Sequence, residues 1–224
     1  MVTGTAVRKA AERLRHRIKK QAAKLLDCRL EELEFDGQMA RNTKTQQTVT
    51  LEQIGISSMS GSDNALQVTE SYSSPVSPPP YMAGAVEIEL DKETGHVEIL
   101  DFVAVVDCGT VINPNLARVQ TEGGLAQGIG MTLYENVQYS DKGEFLNNSF
   151  MQYRIPTRLD TGRLRVEFES SYEPGGPFGA KSIGEIVINT PAPAIVHAIA
   201  NATGIWFREL PVTSEAIALG LLET

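Results

Sequence analysis

A lysine, a glutamate and a run of backbone amides are the groups in this sequence best spaced to do chemistry together. They lie in Glu173–Glu185, which reads Glu-Pro-Gly-Gly-Pro-Phe-Gly-Ala-Lys-Ser-Ile-Gly-Glu. Four glycines and two prolines in thirteen residues exclude a regular helix or a central strand. Glycine permits close backbone approach and positive φ, and such a loop can aim successive N–H groups at an anion. Lys181 adds a positive charge, and Glu185, directly after Gly184, adds a carboxylate that can act as a base. Amides, a cation and a base together describe one edge of an active site. The same composition also suits a surface Ω-loop with solvated charges.

A second constellation lies upstream. Asp107-Cys108-Gly109-Thr110-Val111-Ile112-Asn113-Pro114 is followed by Val119-Gln120-Thr121-Glu122-Gly123-Gly124-Leu125-Ala126-Gln127-Gly128-Ile129-Gly130. Asn113-Pro114 opens a helix, since proline is tolerated in a first turn. Five small residues (Gly123, Gly124, Ala126, Gly128, Gly130) then interrupt the helical pattern. Each glycine costs a helix about 1 kcal/mol against alanine, so their use points to close approach by another backbone or a ligand. Gln120 and Gln127 are seven residues apart and can share a face. Gln127 is assigned to core packing.

The order of these residues resembles a known family. Gly179-Ala180-Lys181-Ser182-Ile183-Gly184-Glu185 is similar to the Gly-x-Lys-x-x-Gly-Glu motif of the molybdenum hydroxylases, which include xanthine dehydrogenase, aldehyde oxidase and the large subunit of aerobic carbon monoxide dehydrogenase. The upstream stretch resembles that family's Asp-x-Gly-x-x-x-Asn-Pro and Gly-Gln-x-x-Gly-Gly-x-x-Gln-Gly-x-Gly motifs, and Leu210-Pro211-Val212-Thr213 resembles its closing segment. The resemblance runs over nearly the whole chain. It departs at Val119, where the family usually has glycine, and at Ile186-Val187-Ile188, where proline or a small residue is common. The pterin loops expected upstream are absent, so the chain carries about half of a cofactor pocket.

The resemblance implies an α+β fold of hairpin-containing mixed sheets packed with helices. Residues 1–80 would complete an upstream domain and connector, and 81–224 would form the second cofactor-binding domain. It implies hydroxylation of a carbon centre with water-derived oxygen on a molybdenum–molybdopterin cofactor, in mononucleotide or cytosine dinucleotide form. Glu185 would be the catalytic base. Gln120, Lys181 and the amides of Ser182, Ile183 and Gly184 would hold the pterin or its phosphate. Iron–sulfur and FAD centres would sit on partner chains, alongside the rest of the molybdopterin-binding portion. The alternatives are a non-catalytic assembly or cofactor-binding module of the same fold, and an unrelated phosphate-binding protein.

Bulk properties agree with an ordinary globular protein of 224 residues, 42% hydrophobic and 21% charged. A net charge of −8 argues against a general nucleic-acid binder. No apolar run approaches the ~18 residues of a membrane span, and the N-terminus lacks the apolar core of a signal peptide, so a cytoplasmic location is expected. Cys28 and Cys108 are too few for an iron–sulfur cluster, which takes about four cysteines. His16, His96 and His197 have no ligand spacing. A chain exposing a surface meant for a partner is also expected to self-associate.

Periodicity then supplies the elements. Val7, Ala11, Leu14, Ile18, Ala22, Leu25 and Leu26 predict an opening amphipathic helix whose other face is basic (Arg8, Lys9, Arg13, Arg15, Arg17, Lys19, Lys20, Lys24), read as a solvated or neighbour-facing stripe. A turn at Asp36-Gly37 predicts a hairpin, Leu51–Ile54 a short helix start, 57–64 a polar connector, Val68–Tyr72 a strand, and Ser73–Pro80 an extended crossing. Gly84–Leu90 and His96–Asp107 predict a hairpin, with 102–106 wholly apolar and expected to be buried. A second hairpin is expected at Glu135–Tyr139 and Phe145–Phe150, a strand at Leu164–Ser170, and helices over Ala192–Ala202 and Ser214–Leu222.

Overall fold

The predicted opening helix is α1, Val2–Leu25. The computed structural model describes residues 1–59 and 66–223. The chain divides into two units, Met1–Pro75 and Val76–Thr224.

In the first unit α1 buries only the C-terminal part of its apolar stripe. Ile18 and Ala22 are in the core, while Val7 and Leu25 are exposed. They pack with Leu33, Ala40, Val49 and Ile54. The sheet is β1 (Leu33–Phe35), β2 (Met39–Asn42) and β3 (Thr48–Thr50), antiparallel in that order. The Asp36 side chain accepts from the N–H groups of Gln38 and Met39 at 2.8 Å, closing the predicted turn. Helix α2 runs Leu51–Met59, so Ser57–Met59 are helical, unlike the connector expected there; 60–65 lie outside the described residues. Val68–Tyr72 is not a strand. Basic residues of α1 hold that segment instead. Arg17 donates to the Gln67 carbonyl at 2.7 Å, Arg13 pairs with Glu70, and Lys9 lies 4.6 Å from the Tyr72 ring centre. Part of the basic stripe therefore serves the fold of its own unit.

In the second unit β4 (Tyr81–Leu90) and β5 (Val97–Asp107) form the long hairpin. Strand β6 (Arg163–Phe168) pairs with β5 in parallel, which makes the sheet mixed. Helix α3 (Pro114–Leu133) lies in the connection between β5 and β6. Asn113 caps it, its side-chain oxygen accepting from Leu116 N–H at 3.1 Å. Short α4 (Ile186–Asn189) leads into α5 (Pro191–Thr203), which ends at Gly204 with φ +80°. Helix α6 is Ser214–Leu222. Ile129, Ile195, Ile199, Val212 and Ile217 form the main core with Val97 and Ile99 of β5.

Two expectations need correction. Residues 102–106 are not buried throughout: Phe102, Ala104 and Val106 are buried, but Val105 is 40% exposed, because only one face of β5 meets the helices. Glu135–Phe150 forms a turn with a single bridge, Tyr139 to Phe145, and no paired strands.

Candidate functional site

The glycine loop is fastened where β5 ends. Asp107, its last residue, uses both carboxylate oxygens. Oδ1 accepts from Ser171 Oγ at 2.6 Å and from Gly109 N at 2.9 Å, and Oδ2 accepts from Lys181 Nζ at 2.7 Å. Burial opposes ionisation, but the Lys181 ammonium, the Ser171 hydroxyl and the Gly109 N–H outweigh it and hold the carboxyl at about 2. The Lys181 side chain is only 10% exposed, and its ammonium also stands 5.4 Å from the Tyr81 ring centre. Its charge is thus engaged within its own protein, whereas the resemblance assigns it to the pterin or its phosphate.

The backbone is joined at the same place. Lys181 N donates to Cys108 O at 2.7 Å, Thr110 N donates to Gly179 O at 2.9 Å, and Gly109 bridges to Ala180. Gly109 has φ +72°, and a Cβ there would stand 2.8 Å from Lys181 N. Only glycine lets the two backbones meet so closely. Within the loop Phe178 adopts φ 53°, an uncommon conformation for a non-glycine residue.

Beyond Lys181 the character of the loop changes. Ser182, Gly184 and Glu185 are exposed and Ile183 is half-buried. Among the described residues the N–H groups of Ser182, Ile183, Gly184 and Glu185 have no protein acceptor, and the Glu185 carboxylate has no hydrogen-bond or ion-pair partner. A Cβ on Gly184 would meet nothing within 4 Å. Four unengaged donors beside a free carboxylate make a surface that can hold an anionic group and exchange a proton.

Gln120 lies at the same end. A Cβ on Gly124 would overlap Val187 of α4, and one on Gly128 would stand 2.6 Å from Pro191 of α5. Both pairings advance by four residues, so α4 and the start of α5 run alongside α3 in the same direction. Gln120, one turn before Gly124, is therefore at the end where Glu185 enters α4. It is exposed, on a strip with Leu116, Gly123, Gln127 and Met131. Gln127 is thus on the surface, contrary to its assignment to the core. Glu122 faces Arg118 at 3.7 Å.

The remaining candidates lie apart. His197 packs edge-on against Trp206, and His96 lines a polar cleft of about 740 Å³ with Arg154, Asp160 and Glu215. None of Gln120, Lys181 or Glu185 lines that cleft. Asp107 and Ser171 are the residues that sequence reasoning left without a role. A carboxylate at a strand end followed by x-Gly was the only signal, and it did not reveal a partner 74 residues away.

Comparison with known proteins adds the family. Residues 1–162 match the model of the molybdopterin cofactor-binding domain. The chain is 35% identical over 222 residues to the Escherichia coli (strain K12) protein named "Probable hypoxanthine oxidase XdhD", covering 98% of this chain and 23% of that protein. It is 34% identical over 226 residues to the 6-hydroxypseudooxynicotine dehydrogenase complex subunit gamma of Paenarthrobacter nicotinovorans, covering 97% and 28%. The chain thus spans about a quarter of the length of these curated relatives. Among solved structures, quinoline 2-oxidoreductase from Pseudomonas putida 86 superposes with a TM-score of 0.73 at 28% identity, over 96% of this chain and 29% of that one. The Cu,Mo-CO dehydrogenase shares the fold, with a TM-score of 0.74 at 24% identity over 98% and 29%. Together with the mixed α+β architecture, these matches show that the chain belongs to the molybdopterin cofactor-binding domain family of the molybdenum hydroxylases.

Proposed function

We propose that this chain supplies the base-bearing part of a molybdenum-dependent hydroxylase, with Glu185 as the catalytic base. One observation carries the reading: Ser182–Glu185 offers four N–H groups and a carboxylate that nothing else in the described protein uses. A phosphate-bearing pterin requires such donors, an amide partner and open space. Ser182, Ile183 and Gly184 meet the first need, Gln120 the second, and the uncrowded surface at Gly184 the third, so these residues fit the group. Lys181 contributes by holding the loop that presents them.

When bound, the molybdenum cofactor would supply two-electron redox chemistry and the site for water-derived oxygen. Overall, a C–H bond and water give C–OH, two electrons and two protons. Glu185 takes one of those protons at a carboxylate oxygen, which is exposed and bound to no other group of the described protein. Iron–sulfur and flavin centres on partner chains would take up the electrons. The rest of the molybdopterin-binding portion would close the pocket, around a pterin in mononucleotide or cytosine dinucleotide form.

The first test is molybdenum content, measured on the complex recovered from the source cell and on this chain alone. Metal in the complex supports the reading, and its absence there favours the non-catalytic module. The second test is Glu185→Gln in the complex, expected to lower turnover by about two orders of magnitude or more with molybdenum retained. Normal turnover would remove Glu185 from its role.

A further inference from the structure

We propose that Asp107 is a positioning residue for this site: by clamping Lys181 to the end of β5, it sets where Ser182–Glu185 is presented. The inference rests on the reading of Glu185 as base, and it concerns a residue that does not itself reach the open surface.

Four observations support it. Asp107 meets Lys181 through its side chain while Cys108 meets it through the backbone, so two consecutive residues hold both ends of Lys181. The two contacts are each 2.7 Å, and the Lys181 side chain is largely shielded from water. Ser171 and Gly109 occupy the other carboxylate oxygen, which fixes the carboxylate plane and hence the direction from which Lys181 is held. Downstream, α4 is seated by Val187 in the gap left by Gly124.

Between Lys181 and α4 no hydrogen bond among the described residues restrains Ser182–Gly184. The segment is strung between two fastenings, the clamp at one end and the Val187 seat at the other. The position of Ser182–Glu185 is thus set by these two fastenings, because the segment has no hydrogen bond of its own to hold it in place once one of them is lost. Removing the Asp107 charge also leaves a shielded ammonium without its partner, which drives Lys181 to find water and carry the loop with it.

The test uses the complete enzyme and compares Asp107→Asn, Asp107→Glu, Lys181→Met and Glu185→Gln. Asp107→Asn is expected to speed hydrogen exchange about tenfold at Thr110 and Lys181, whose N–H groups are bonded across the joint, leaving α1 and the middle of α3 at wild-type rates. It should lower kcat about ten- to a hundredfold with KM unchanged, as misplacement of a reacting group does. Asp107→Glu, which keeps the carboxylate, should recover part of kcat. Should Asp107→Asn fail to fold, Lys181→Met removes the same clamp while sparing the Ser171 and Gly109 contacts, and the same changes are expected. Wild-type exchange at Thr110 and Lys181 and wild-type kcat in a folded clamp variant would overturn the proposal. Full turnover in Glu185→Gln together with faster exchange in Asp107→Asn would overturn the base assignment and leave the clamp standing.

Discussion

The two halves of the glycine loop differ in what their groups are bound to. Up to Lys181 the loop is committed to its own protein: Gly179 O accepts from Thr110 and Glu173, Ala180 bridges to Gly109, and Lys181 meets Asp107 and Cys108. After Lys181 the donors are unengaged and the carboxylate is exposed. A buried polar group without a partner is costly, whereas an exposed one is hydrated cheaply and can be given to a ligand. The first half therefore behaves as structure and the second as surface available for binding, although one motif contains both.

The largest effect should separate the halves by activity. Glu185→Gln is expected to remove about 3 kcal/mol of transition-state stabilisation, a hundredfold in turnover, while moving unfolding free energy by less than about 0.5 kcal/mol. Turnover assays on the complex and urea unfolding of the chain would check the two parts. A large loss of stability would show that Glu185 belongs with the structural half.

Gly109→Ala attacks that structural half. It places a side chain at φ +72° and against Lys181 N, so a loss of about 2–3 kcal/mol is expected in urea unfolding. An unchanged midpoint would mean that the joint at Gly109 is looser than the backbone bonds imply.

Acid should release the clamp next. Asp107 is held at about 2 against its ordinary 3.8, so it favours the folded state fully above about pH 4–5 and loses that contribution as pH falls towards 2. The contribution is about 2 kcal/mol, and Asp107→Asn should flatten this part of the stability–pH curve. Identical acid profiles in both proteins would dissociate the carboxylate from loop stability.

The smallest contrast lies within α3. Gly124→Ala is expected to cost about 1–2 kcal/mol because it crowds Val187, whereas Gly123→Ala, with nothing within 4 Å, should stabilise by up to about 1 kcal/mol. Thermal melting of the two variants decides it. Equal destabilisation would show that the exposed strip of α3 is packed.

Elements with strong local signals were legible from the chain. The stripe of α1, the Asn113-Pro114 start of α3, the β4–β5 hairpin and the extent of α6 all rest on residues close in sequence. Those that depended on distant partners were not. The parallel pairing of β6 with β5 and the brief α4 packed on α3 leave no period in the sequence. Val68–Tyr72 has the composition of a strand but pairs with no strand among the described residues, and Arg13 and Arg17 hold it instead. The site divides in the same way. Gln120, Lys181 and Glu185 stand out by motif, yet nothing local tells that Lys181 faces inward.

The sequence by itself determined which residues have the chemistry: a base after glycine, a run of amides, a glutamine on a glycine-rich helix and a family resemblance along the chain. Tertiary structure alone decided which of these are available. Asp107 and Lys181 are 74 residues apart and meet because β5 and the loop approach through Gly109. That contact neutralises one charge inside the protein and leaves the next four residues open, since opposite charges shielded from water hold each other while exposed groups do not.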